Sequence, residues 1–179
     1  MTDTTSQPRS PLAMFFSLGF RPFFLGAALW AVAVMALWLA QMFDVLALPI
    51  GLDPVSWHAH AFLFGYLSAV IAGFLLTAVP NWTGRAALSG APLIALFLLW
   101  FLGQLAVLTA MWWPAALVIV LDLAFLAAVL VWLLREIVAG QNWRNLIVVA
   151  MLLAFLGGNA VFHFEAAGGE YAAQGVGLR

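Results

Sequence analysis

Three imidazoles and one deep carboxylate are the residues of this chain best placed to do chemistry. His58 and His60 stand four and six residues after Pro54, His163 lies near the end of a later apolar run, and Asp122 interrupts another. Imidazole nitrogens bind transition metals, and a carboxylate near them adds charge, a ligand or a proton relay. The chain has no Cys. That excludes disulfides, thiolate nucleophiles, iron–sulfur clusters, thiolate-held metals and covalent c-type haem attachment. Met14, Met35, Met42, Met111 and Met151 form no Met-x-x-Met cluster, so a thioether copper relay has no support.

Spacing limits what the histidines can do together. Residues i and i+2 of an α-helix point about 200° apart, so His58 and His60 cannot grip one metal from a regular helix. Asp53 as N-cap and Pro54 at the first helical position argue for such a helix. The pair is expected to serve two neighbours: two cofactors, or one cofactor and a contact behind it. His58 shares a face with Phe62, Gly65, Ala69 and Gly73, whose small residues admit another helix, so it is expected to point into the bundle. His60 falls on the opposite face with Phe64, Leu67 and Ile71. Asn159, one turn below His163, either orients that ring or ties helices together. Asp122, deep in its apolar run, reads as a proton relay or as glue to a neighbouring helix.

The elements that position these side chains are membrane spans. Of the 179 residues, 66% are hydrophobic and 7% charged, where a soluble domain carries ~25% charged residues. Six Arg, no Lys and seven carboxylates cannot cover a water-soluble body, and the mean hydropathy is +1.11. A net charge of −1 without clustered cations argues against a nucleic-acid partner. A helix crossing the hydrocarbon core needs roughly 20 apolar residues. Five segments qualify, at about 22–43, 54–79, 92–111, 114–134 and 145–164. The expected fold is therefore an all-α polytopic transmembrane bundle, with span two central and span one peripheral. It is flanked by a polar and interfacial segment over 1–21 and a Gly-rich tail over 165–179. The first run is too long for a signal-peptide core and lacks a small-residue cleavage site.

Cation placement predicts the orientation. Arg9 and Arg21 precede span one, Arg85 follows span two, and Arg135 and Arg144 lie between spans four and five. The 44–53 and 111–114 connections carry no cation. The positive-inside rule then puts the N-terminus in the cytoplasm. Trp57, Trp82, Trp112, Trp113, Trp132 and Trp143 are expected at headgroup level, and Arg21 and Arg85 at lipid phosphate. All three His fall at similar depth, near the outer face. An ionisable residue in the membrane costs ~2.5–3.5 kcal/mol on insertion scales. One such His reads as a headgroup contact. Three at one depth read as a site.

Several stretches resemble a known family. They are Phe20-Arg21-Pro22-Phe23-Phe24, Trp57-His58-Ala59-His60 with Phe64-Gly65-Tyr66, Ala72 through Arg85, Arg144-Asn145-Leu146, and Asn159 with His163. Together they are similar to the NnrS family of bacterial inner-membrane proteins. The resemblance implies haem and copper, a link to the nitric oxide response, and His58, His60 and His163 as the cofactor and metal ligands. With no Cys, the haem implied is b-type and His-ligated. Two departures stand out. The family places Glu-Met after the His-x-His pair where this chain has Ala61-Phe62, and its members are longer. The chain looks like an N-terminal portion, with further spans or an oligomeric partner to complete it. Other readings are a cytochrome b-like electron carrier, a small permease, which Asp122 and the small-residue face also suit, and a scaffold subunit.

Overall fold

A computed structural model describes residues 10–167. The extreme termini, with Arg9 and most of the Gly-rich tail, lie outside that range. No strand occurs among the described residues, and five helices are long and apolar enough to cross a membrane. The protein is an all-α polytopic bundle.

A short helix, α1 (Pro11–Phe15), starts where the Ser10 side chain accepts from the Ala13 amide. Span one is α2 (Phe20–Met42). Span two begins with α3 (Pro54–His60), where Asp53 accepts from the Val55 and Ser56 amides at 3.0 Å and Pro54 occupies the first turn. It passes through a π-helical segment, Ala61–Tyr66, and continues as α4 (Leu67–Thr83) to a left-handed Gly84. Spans three to five are α5 (Ala91–Leu108), α6 (Ala115–Ala139) and α7 (Leu146–Ala167).

Two boundaries differ from expectation for local physical reasons. Pro80 does not end span two. In lipid, side chains can take up backbone groups that a proline disturbs; here Asn81 donates to the Thr77 carbonyl and Thr83 to that of Val79. Span four runs past Arg135 and Glu136 to Ala139, because Glu136 is buried in an ion pair with Arg85 at the foot of span two. Arg85 thus meets a carboxylate and not only lipid. Arg21 likewise turns back, to the Met14 carbonyl and the Ser17 hydroxyl.

The π segment is the larger correction, since a regular helix was expected there. Trp57, Ala61, Gly65, Ala69 and Gly73 are all buried. A spacing of four residues sustained over that length drifts roughly 160° around a 3.6-residue helix. The wider π turn absorbs much of the drift. The carbonyls of this segment gain partners from both sides. The Trp30 indole of α2 donates to Ala61 O at 3.3 Å, and the Trp100 indole of α5 donates to Gly65 O at 3.0 Å.

Span two is the central rod, half of its apolar window being buried, against about a fifth for span one and less for span five. Span five is thus at least as peripheral as span one. The face built on Gly65, Ala69 and Gly73 does meet other helices. A Cβ at Gly65 would overlap Gln104 of α5 and Trp30 of α2, and one at Gly73 would overlap Phe24. Phe23, Phe97, Trp100 and Phe125 fill the layer between spans one, three and four, with centroids 5.4–6.4 Å apart. Trp57 is fully buried against other helices rather than on the outside of the bundle.

Polar ties close the two ends. At one, Asn142 donates to Trp82 O at 2.6 Å, Gly90 N–H donates to Phe16 O at 2.8 Å, and Arg85 meets Glu136. At the other, Met111 N–H donates to Pro49 O at 3.0 Å. Arg21, Arg85, Arg135 and Arg144 therefore sit toward one end of the bundle, and the histidines toward the other.

Candidate metal centre

The histidine end is built from three spans. His60 is the last residue of α3, six residues after Pro54 and about 9 Å along the axis at 1.5 Å per residue. Asp122 lies seven residues into α6, about 10 Å along. His163 stands one turn before the end of α7. The antiparallel run of spans two and five brings those depths together.

All three side chains converge on one oxygen. His60 Nε2 lies 3.2 Å and His163 Nε2 2.9 Å from Asp122 Oδ2, and Asn159 donates its amide to the same oxygen at 2.8 Å. His60 Nε2 is also 3.2 Å from Asn159 Oδ1. One carboxylate oxygen is thus shared by three nitrogens, while Asp122 Oδ1 and His60 Nδ1 are buried without a partner. All four residues are buried. Phe64 and Phe162 flank His60, with centroids at 5.3 and 5.0 Å.

This arrangement revises the spacing argument. His60, assigned by sequence to the opposite face, is fully buried and shares the site with His163. His58, expected to point into the bundle, is half-buried. Its ring stacks on Trp38 of α2 at 4.2 Å and on Phe62 at 4.8 Å, and its buried Nδ1 has no partner. The two histidines do diverge, as i,i+2 spacing requires, but the π segment below them decides which one faces the core. Asn159 is in the site through His60 and Asp122, with no bond to His163. Asp122 is the centre of the cluster rather than a solitary carboxylate. Trp30 and Trp100, which the sequence did not single out, hold the π segment that aims His60.

The ligand set has defined chemistry. One donor atom each from His60, Asp122 and His163 lies within 4.8 Å of the others. Two imidazoles and a carboxylate suit first-row metals such as copper, zinc and iron. The orphaned Asp122 Oδ1 leaves that carboxylate a second coordinating atom, so the residues fit a metal ion. A haem plane between His60 and His163 does not fit. Their ring centroids are 5.2 Å apart, and both Nε2 atoms are directed at the same oxygen.

Fold and site together define a polytopic helical membrane protein with a buried histidine–carboxylate cluster between its second, fourth and fifth spans. Residues 14–179 match the family of NnrS proteins, and the chain belongs to that family. At the family level it is a membrane protein of the nitric oxide response. No curated protein and no solved structure matches it.

Proposed function

We propose that this chain is a haem- and copper-binding protein of the bacterial inner membrane that acts in the response to nitric oxide. The observation that carries the reading is the convergence of His60, Asp122 and His163 from three separate spans on one buried point. A clamp that only joined helices would need one pair. In this reading the three side chains hold copper, and Asn159 orients His60 and the carboxylate. The metal supplies a redox centre able to bind a small molecule such as nitric oxide. The carboxylate offsets the metal's charge in a low-dielectric site, and the rings of Phe64 and Phe162 keep water from the His60 side. The same His–His–carboxylate set is one that non-haem iron uses, and metal analysis separates the two.

The imidazole left for a haem is His58. It makes no hydrogen bond to another described residue. The Phe62 ring it touches also walls a groove of about 500 Å³ with Ala27, Ala28, Ala31 and Tyr66. In this reading His58 would hold a b-type haem, whose iron would supply a second redox centre, and the apolar groove behind Phe62 would shelter its porphyrin. The one-sided Arg distribution supports a cytoplasmic N-terminus and, with it, a histidine end on the outer face. A phosphatase fused at the Trp112–Trp113 turn should be active and one after Leu88 inactive; the reverse pattern inverts the orientation.

A reduced-minus-oxidised spectrum with metal analysis of the purified protein tests the cofactor reading. A haem b signal with stoichiometric copper supports it. Haem without copper favours a cytochrome b-like electron carrier, and the lack of both leaves a permease or scaffold.

A further inference from the structure

A cleft of about 170 Å³ enters the bundle at the end opposite the Arg-bearing loops, and His163 forms part of its wall. Its mouth is framed by Gly51 and Leu52, before span two, and by Ala110 and Trp113, in the turn between spans three and four. The frame is held in place. Met111 N–H donates to Pro49 O, and the Trp113 indole donates to the Thr109 hydroxyl at 3.0 Å. Val107, Val118 and Ile119 line the passage, and among its lining residues only His163 can ionise. Bringing an ion through such walls carries a large desolvation cost, whereas a small neutral molecule passes with little.

We infer that this cleft is the entry path to the metal cluster and that it admits small uncharged molecules while excluding anions. The inference rests on the metal reading of His60, Asp122 and His163. Gly51, Ala110 and Trp113 are then the residues that set what passes. Gly51 and Ala110 are neighbours in that frame, since a Cβ on Gly51 would lie 3.6 Å from the Ala110 Cβ. A bulky side chain at 110 obstructs the path without touching a ligand, and removal of the Trp113 indole widens it.

The test uses copper-loaded, reduced protein in detergent, with carbon monoxide as the uncharged probe and its rebinding after flash photolysis as the readout. Copper content is measured on every sample. Ala110→Trp should keep its copper and rebind carbon monoxide slower by about tenfold, and Trp113→Ala should keep copper and rebind it faster by several fold. Azide added to the oxidised wild type should leave the copper signal unshifted. If both variants hold copper and rebind at the wild-type rate, the cleft is not the path. Ready azide binding overturns the exclusion of anions. A wild-type chain that binds no copper overturns the metal reading and this inference with it. If Ala110→Trp does not fold, Trp113→Ala decides alone.

Discussion

The two ends of the bundle each tie span two to span four with a buried carboxylate, and they do so differently. At the Arg-bearing end Glu136 takes one partner, Arg85, which is 38% exposed and reaches toward the headgroup region. At the histidine end Asp122 takes three partners, two of them imidazoles, and none has a comparable outlet to solvent. A permanently charged guanidinium is affordable only where water and headgroups are near. Deeper in, imidazole is the nitrogen base that is neutral at ordinary pH and still binds a metal. The first arrangement is sufficient as a tether. The second gathers more ligand atoms than a tether requires, and that excess marks it as a site.

Exchanging the two carboxylates for amides should break this comparison most visibly. Asp122→Asn removes the anion common to both histidines; copper affinity should fall by about a hundredfold or more, and stability in detergent by about 1–3 kcal/mol. Glu136→Gln should leave copper unchanged and cost no more than about 1 kcal/mol, because its partner is partly screened by solvent. Metal titration and thermal unfolding of the two variants give both numbers. Equal copper loss in both would erase the distinction between tether and site.

The π segment is the next lever. Trp30→Phe and Trp100→Phe each delete an indole donor to one of its carbonyls. Each should cost about 1 kcal/mol, and each should weaken copper by about tenfold, because His60 loses its support. Unchanged copper affinity in both would mean that His60 is aimed by other contacts. The glycines test packing alone and should leave copper untouched. Gly65→Leu should destabilise by about 1–3 kcal/mol, since its Cβ already overlaps Gln104 and Trp30. Gly157→Leu, where nothing lies within 4 Å, should stay within about 0.5 kcal/mol. Equal unfolding temperatures for the two would contradict the close approach at Gly65.

Much of this could be read in the residues. Apolar length gave five spans, Asp53 and Pro54 marked the start of span two, and the His and Arg positions separated the two ends. The site itself was only half legible. A uniform 3.6-residue period carried from Gly73 back to His58 puts the wrong histidine in the core, because the π turn that resets the phase has no simple local signature. Trp30 and Trp100, the indoles that support it, come from other spans. Asp122 was half legible for a different reason: its place seven residues into span four already matches the depth of His60, but its partners come from spans two and five. Only the far end of span four was set too early, since Glu136, paired with Arg85, lets the helix run to Ala139. Charge pairing across 51 residues of sequence is a tertiary fact.

The central claim is that His60, and not its neighbour His58, belongs to the metal cluster. The most direct test is the copper-to-protein ratio of the purified wild type, His60→Ala and His58→Ala. The account predicts one copper per chain in the wild type and in His58→Ala, and none in His60→Ala. Full copper in His60→Ala, or equal loss from both variants, would contradict it.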